Sequence, residues 1–146
     1  MIAQRRRSTV TEAIRHTLRM SSPPDDVDTV HGLLEKVWAD APGVAPMDRF
    51  SFETALIELA SNVIRHADSG SGVCCTLTVE AFADRIQATL SDTGEPGDFQ
   101  LVGHTMPDAL SESGRGIPLI EALVDELLYN REGDSNLWRI TRKFAS

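Results

Sequence analysis

At 146 residues the chain is long enough for one domain with a single substantial core. Its 41% apolar and 25% charged residues are those of a folded protein, not a disordered one. Fourteen Lys plus Arg stand against 22 Asp plus Glu, a formal net charge of −8. That balance argues against direct nucleic-acid binding, which needs a basic surface. No apolar stretch approaches the ~20 residues of a membrane span. Arg5, Arg6 and Arg7 are not followed by the apolar region of a secretory signal. No membrane association and a cytoplasmic location are therefore expected.

In chain order, residues 1–12 read as a basic N-terminal extension, disordered or partner-contacting, ahead of a single domain over 13–146. "AIRHTLRMS" (13–21) alternates like a strand and ends at the "SSPPDD" break. Ser22 is a candidate cap for the next helix, with Pro23 and Pro24 in its first turn and Asp25 and Asp26 favouring its positive end. Val27, Val30, Leu33, Leu34, Val37 and Trp38 then recur at helical spacing. "DAPGVAP" (40–46) is a loop, residues 47–67 carry the strongest helix signal, and "DSGSG" (68–72) ends it.

Residues 73–82 and 85–92 read as strands joined by Ala83 and Asp84 in a tight hairpin. Cys74 and Cys75 are adjacent, so a strand sends one thiol inward and the other outward. They read as packing residues, because two ligands do not make a zinc site. The stretch 93–116 has no regular pattern, and its length marks a lid or a binding loop. A helix over Ile117–Glu126 follows, then strands "ELLYNRE" and "NLWRITRKF" joined by "GDS". The order β-α-α-β-β-loop-α-β-β predicts an α+β fold, a two-layer sandwich with helices on one face of a mostly antiparallel sheet.

Three places carry candidate chemistry. On the long helix, Phe52, Leu56, Leu59, Ala60, Val63 and Ala67 share one arc that should face the sheet. Glu58, Asn62 and His66, at i, i+4 and i+8, form a stripe on another side. Spacing alone makes that stripe a solvated face. Asn, however, is a poor helix former, its amide oxygen is a hard ligand suited to Mg²⁺, and a Glu one turn away is a candidate base. The second place is "SDTGEPGD" (91–98), an acidic residue and two glycines at a strand end. An Asp there can accept a hydrogen bond from an exocyclic amine, while Gly94 lets a flat ring approach the backbone. The third is "SESGRGIP" (111–118), two glycines one residue apart in the turn before a helix. A helix interior disfavours Gly by roughly 1 kcal/mol relative to Ala, and a helix N-terminus attracts anions through its unpaired N–H groups.

Taken in order, E-x-x-x-N-x-x-x-H, D-x-G-x-P and S-G-R-G-I resemble the boxes of the Bergerat-type ATP-binding fold of gyrase-type topoisomerases, mismatch-repair ATPases and histidine kinases. More narrowly, the chain resembles the bacterial anti-sigma-factor serine/threonine kinases of the partner-switching systems, over roughly residues 15–144. The resemblance implies ATP and Mg²⁺ as cofactors. It implies Asn62 as the metal ligand and Glu58 as the general base toward a protein hydroxyl. Asp92 would read the adenine amine, with Gly94 beneath the ring. Gly114, Gly116 and Ile117 would offer backbone N–H groups to phosphate, and residues 95–113 would form the lid.

Arg115 is left between a phosphate contact and a salt bridge to a lid carboxylate. His66 matches the helix pattern as a packing or orienting residue. Arg65 either assists phosphate or pairs with Glu58. The small hydroxyl residue often found at the start of the last strand has no clear match in "SNLWRIT". The implied partners are a sigma factor, an anti-anti-sigma (STAS-type) protein and a second copy of the chain in a homodimer. A nucleotide-binding regulatory or anti-sigma module without transfer activity, and a detached histidine-kinase catalytic domain, are the alternatives. No P-loop GxxxxGK[ST] is present, nor the VAIK, HRD and DFG elements of ordinary protein kinases.

Overall fold

The computed structural model describes residues 13–22, 25–67, 72–93 and 116–145, with the backbone alone for 66 and 67. The basic extension, Pro23 and Pro24, the 68–71 turn, Gly94, Gly114, Arg115 and the 95–113 segment lie outside the described residues.

Strand β1 (Ile14–Ser22) starts the described chain. Ser22 does not cap the following helix. It is the last residue of β1, paired with Val73. Helix α1 (Val27–Asp40) is capped instead by Asp26, whose Oδ1 accepts from the Asp28 N–H at 2.9 Å, while Thr29 Oγ1 accepts from the Asp26 N–H at 3.4 Å. Helix α2 (Pro46–Ala67) begins on a proline, where the missing N–H costs no intrahelical bond.

Strands β2 (Val73–Ala81) and β3 (Arg85–Asp92) form the first hairpin. Helix α3 (Gly116–Leu123) is shorter than its apolar pattern suggests. Asp125 leaves it for the sheet, its N–H donating to Thr141 O at 2.8 Å, and Arg142 Nη1 donates to the Leu123 carbonyl at 2.7 Å. Strands β4 (Glu126–Glu132) and β5 (Ser135–Lys143) close a hairpin around Gly133 and Asp134. Gly133 takes φ of 59°, the positive angle a two-residue hairpin loop needs.

The five strands are antiparallel in the order β1-β2-β3-β5-β4. Side-chain alternation splits the sheet into two faces. Leu77, Val79, Ile86, Ala88, Leu90, Trp138 and Ile140 point inward and are buried, together with Val30, Leu34 and Val37 of α1 and Phe52, Leu56 and Leu59 of α2. Trp38 ties α1 to α2, its Nε1–H donating to Glu53 Oε1 at 2.9 Å and its ring meeting Phe52 edge-on. The opposite face carries Thr17, Thr76, Thr78, Thr89 and Arg139, and no described helix covers it. As expected of adjacent strand residues, Cys75 is buried and Cys74 exposed.

Candidate nucleotide site

The strongest helix of the sequence supplies one end of the site. Phe52, Leu56, Leu59, Ala60 and Val63 are buried against the sheet, as their common arc requires. Beside them, Asn62 is only 5% exposed and Glu58 is half-buried. The stripe is therefore no solvated face at these two positions, because α3 packs over it. His66 belongs to the last turn of α2, and its side chain lies outside the described residues.

Gly116 is the reason α3 can come this close. It is the first residue of that helix, not part of the turn before it. A Cβ added there would fall 2.5 Å from Asn62 Nδ2 and 3.1 Å from Glu58 Oε2. Only a residue without a side chain brings the start of α3, and its N–H groups without intrahelical acceptors, against these two side chains. Ile117, next in line, buries its side chain in the core and leaves its backbone in that first turn.

The Asn62 amide is unequally satisfied. Its Oδ1 accepts from Arg65 Nη2 at 2.6 Å, a short charge-assisted bond. Its Nδ2 is buried and has no hydrogen-bond partner among the described residues. Leaving such a donor unmet costs about 1–3 kcal/mol, which an acceptor atom entering beside α3 would recover. Among the described contacts, Arg65 bonds Asn62 and, at 3.4 Å, Ser61 Oγ, not Glu58. Glu58 also lines an open groove of about 530 Å³ between α1 and α2, with His31, Trp38 and Phe50. Its carboxylate thus stands between the first turn of α3 and solvent-accessible space.

The other end lies at the end of β3. Asp92 continues the inward parity of Ile86, Ala88 and Leu90 and is 2% exposed. Its Oδ1 accepts from Asn136 Nδ2 at 2.9 Å. Asn136 is itself buried, and its Oδ1 accepts from the Tyr129 hydroxyl and from Arg131 Nη1. Sequence reasoning missed Asn136 and Tyr129. The one available signal was a polar Asn in inward phase with Trp138 and Ile140 on a strand. A cavity of about 360 Å³ wraps the strand ends here, lined from the inner face by Met20, Cys75 and Asp92 and from the open face by Arg19, Ser21, Cys74, Thr76 and Ser91. Burial, then the charge of Asp92, then Cys74 push the Cys75 thiol up to about 12, so it stays protonated at neutral pH.

A five-stranded antiparallel sheet with helices on one face, and polar side chains buried between the layers, defines a Bergerat-type ATPase architecture. The chain belongs to the histidine kinase-like ATPase domain family, whose model matches residues 20–142. It is 31% identical over 126 residues to the serine-protein kinase RsbW of Staphylococcus epidermidis, covering 79% of this chain and 78% of that protein. RsbW of Bacillus velezensis is 30% identical over 120 residues, covering 75% and 74%. The solved catalytic domain of the histidine kinase ThkA, in a nucleotide-free form, superposes with a TM-score of 0.52 at 10% identity, over 88% of this chain and 97% of that one. No helix among the described residues is long and apolar enough to cross a membrane.

Proposed function

We propose that the protein is an anti-sigma-factor serine/threonine kinase that binds ATP with Mg²⁺ and phosphorylates an anti-anti-sigma partner. The observation that carries this reading is the cradle at Gly116, where the start of α3 meets the buried Asn62 amide and the Glu58 carboxylate. Its relatives named as serine-protein kinases support the same class of reaction.

The residues present fit both cofactors. The unmet Asn62 Nδ2 and the space that a side chain at residue 116 would fill suit a ligand's acceptor atoms. Asn62 Oδ1, reached by displacing Arg65, is the hard oxygen that would hold Mg²⁺ there. Mg²⁺ held there would neutralise phosphate charge. The N–H groups of Gly116 and Ile117 bind phosphate oxygens, and Gly114 and Arg115 are assigned to the same anion site. Asp92 accepts a hydrogen bond from the adenine amine, with Gly94 beneath the ring. Glu58 accepts the proton of the acceptor hydroxyl, which reaches it from the α1–α2 groove. In the proposed cycle, the protein works in the cytoplasm as a homodimer and sequesters a sigma factor when the partner is absent or phosphorylated.

Incubation of the purified chain with labelled ATP, Mg²⁺ and a STAS-type partner tests the proposal. Acid-stable phosphoserine or phosphothreonine on the partner, absent with Glu58→Gln, is the expected result. Label on histidine would contradict it.

A further inference from the structure

Asp92 and Asn136 face each other across β3 and β5, and Asn136 faces Arg131 across β5 and β4. The three side chains therefore form one cross-strand row. Tyr129 reaches that row diagonally from the edge strand, its ring centred 4.5 Å from that of Trp138. From this row we infer that Asn136 is a positioning residue for base recognition, with its amide locked by Tyr129 and Arg131 of β4. The inference rests on the proposed role of Asp92 toward the adenine amine.

An Asn side chain has a donor end and an acceptor end, and its environment must select between them. Here two donors, the Tyr129 hydroxyl and the Arg131 guanidinium at 3.2 Å, converge on Oδ1. The reversed amide would set donors against donors and point its oxygen at a carboxylate. The oxygen is thus fixed toward β4, and Nδ2 must point at Asp92, where it donates to Oδ1 at 2.9 Å. Asn136 is 3% exposed and Asp92 2%, so little water competes for either group. Engaging one carboxylate oxygen sets the plane of the carboxylate and the direction in which the second oxygen is presented.

Direction matters because discrimination between purines depends on it. Adenine offers an amine where guanine offers a carbonyl oxygen, so a fixed acceptor favours the first and repels the second. A site built to bond a particular donor rejects the analogue that lacks it more strongly than a pocket selecting by size. If the carboxylate can rotate, that penalty weakens. The edge strand β4, remote from the sequence motifs, then becomes part of nucleotide selectivity.

An isosteric pair separates hydrogen bonding from packing. Asn136→Thr keeps a hydroxyl donor toward Asp92, whereas Asn136→Val has the same shape and no donor. Calorimetric titration of the full chain with ATP and with GTP, in Mg²⁺, gives the ATP-over-GTP preference of each variant. We expect Asn136→Val to lose about tenfold of that preference and Asn136→Thr to stay within about threefold of the wild type. Tyr129→Phe, which deletes one hydroxyl and keeps the ring contact, should lose about threefold and serves if the valine variant fails to fold. Equal preferences in Asn136→Thr and Asn136→Val, or an unchanged Tyr129→Phe, would overturn the inference while the adenine reading stands. A wild type that binds ATP and GTP alike, or neither, defeats the adenine reading and this inference with it.

Discussion

At the Asp92 end of the site, a buried carboxylate is met by Asn136, whose own amide oxygen is met by Tyr129 and Arg131. At the Asn62 end, an equally buried amide is held only on its oxygen, by Arg65, and its nitrogen has no partner among the described residues. The first arrangement fixes the direction of the carboxylate through protein bonds alone. The second carries a desolvation cost that only an incoming group removes. The proposed function, in which a base is recognised by direction and phosphates are held with the help of a metal, calls for this asymmetry. Selectivity requires a rigid acceptor, and the charged end must remain open to a cation and to transfer.

The largest expected effect separates the two roles at the open end. Glu58→Gln should leave ATP affinity within about threefold and lower phosphoryl transfer about a hundred- to ten-thousandfold, as loss of a general base does. Retained turnover in a transfer assay would assign the base elsewhere. Next, Asn62→Ala should weaken Mg²⁺-dependent ATP binding about thirtyfold, measured by calorimetry. A smaller loss there than at Asp92→Asn would break the comparison.

Gly116→Ala is smaller. Inside a helix the change gains about 1 kcal/mol, but Gly116 opens α3, and its new Cβ would fall 2.5 Å from Asn62 Nδ2. A net cost of about 1–3 kcal/mol and weaker ATP binding should result, read by thermal or denaturant unfolding and by titration.

The smallest effect lies on the open face of the sheet, away from both ends. Arg15 hydrogen-bonds Glu80, and this, opposed by burial and aided by Gln87, holds the Glu80 carboxyl below its ordinary value. A depressed carboxyl stabilises the fold above the ordinary value of 4.5 and loses that contribution as pH falls through its folded value. Glu80→Gln should therefore cost under about 1 kcal/mol at pH 7 and nothing in strong acid, in paired denaturant titrations. An effect that grew on acidification would have the wrong sign.

The parts of this design that were legible in the sequence are those written in local patterns. The arc of α2, the strand end that carries Asp92 and the helix start near Gly116 are written in spacing within a few residues. The row behind Asp92 was not legible, because Asn136 lies 44 residues away and is brought opposite only by strand pairing. The burial of Asn62 was hidden for the same reason, since α3 covers it from 54 residues further along. Smaller differences also come from long-range pairing. Ser22 is taken by β1 so that Asp26 caps α1, and Asp125 is drawn into the sheet so that α3 stops at Leu123. Arg65 lies beside the Glu58/Asn62 stripe by spacing, but its choice of Asn62 over Glu58 depends on rotamers that spacing does not specify.

Under the proposed function, a metal–nucleotide complex completes the open end of the site. Calorimetric titration of the purified chain with ATP, with and without Mg²⁺, beside the Asn62→Ala variant, tests it most directly. Binding in the micromolar range that requires Mg²⁺, and that loses this requirement together with most of its affinity in the variant, is the expected result. Equal affinity with and without the metal, or no binding by the wild type, would contradict it.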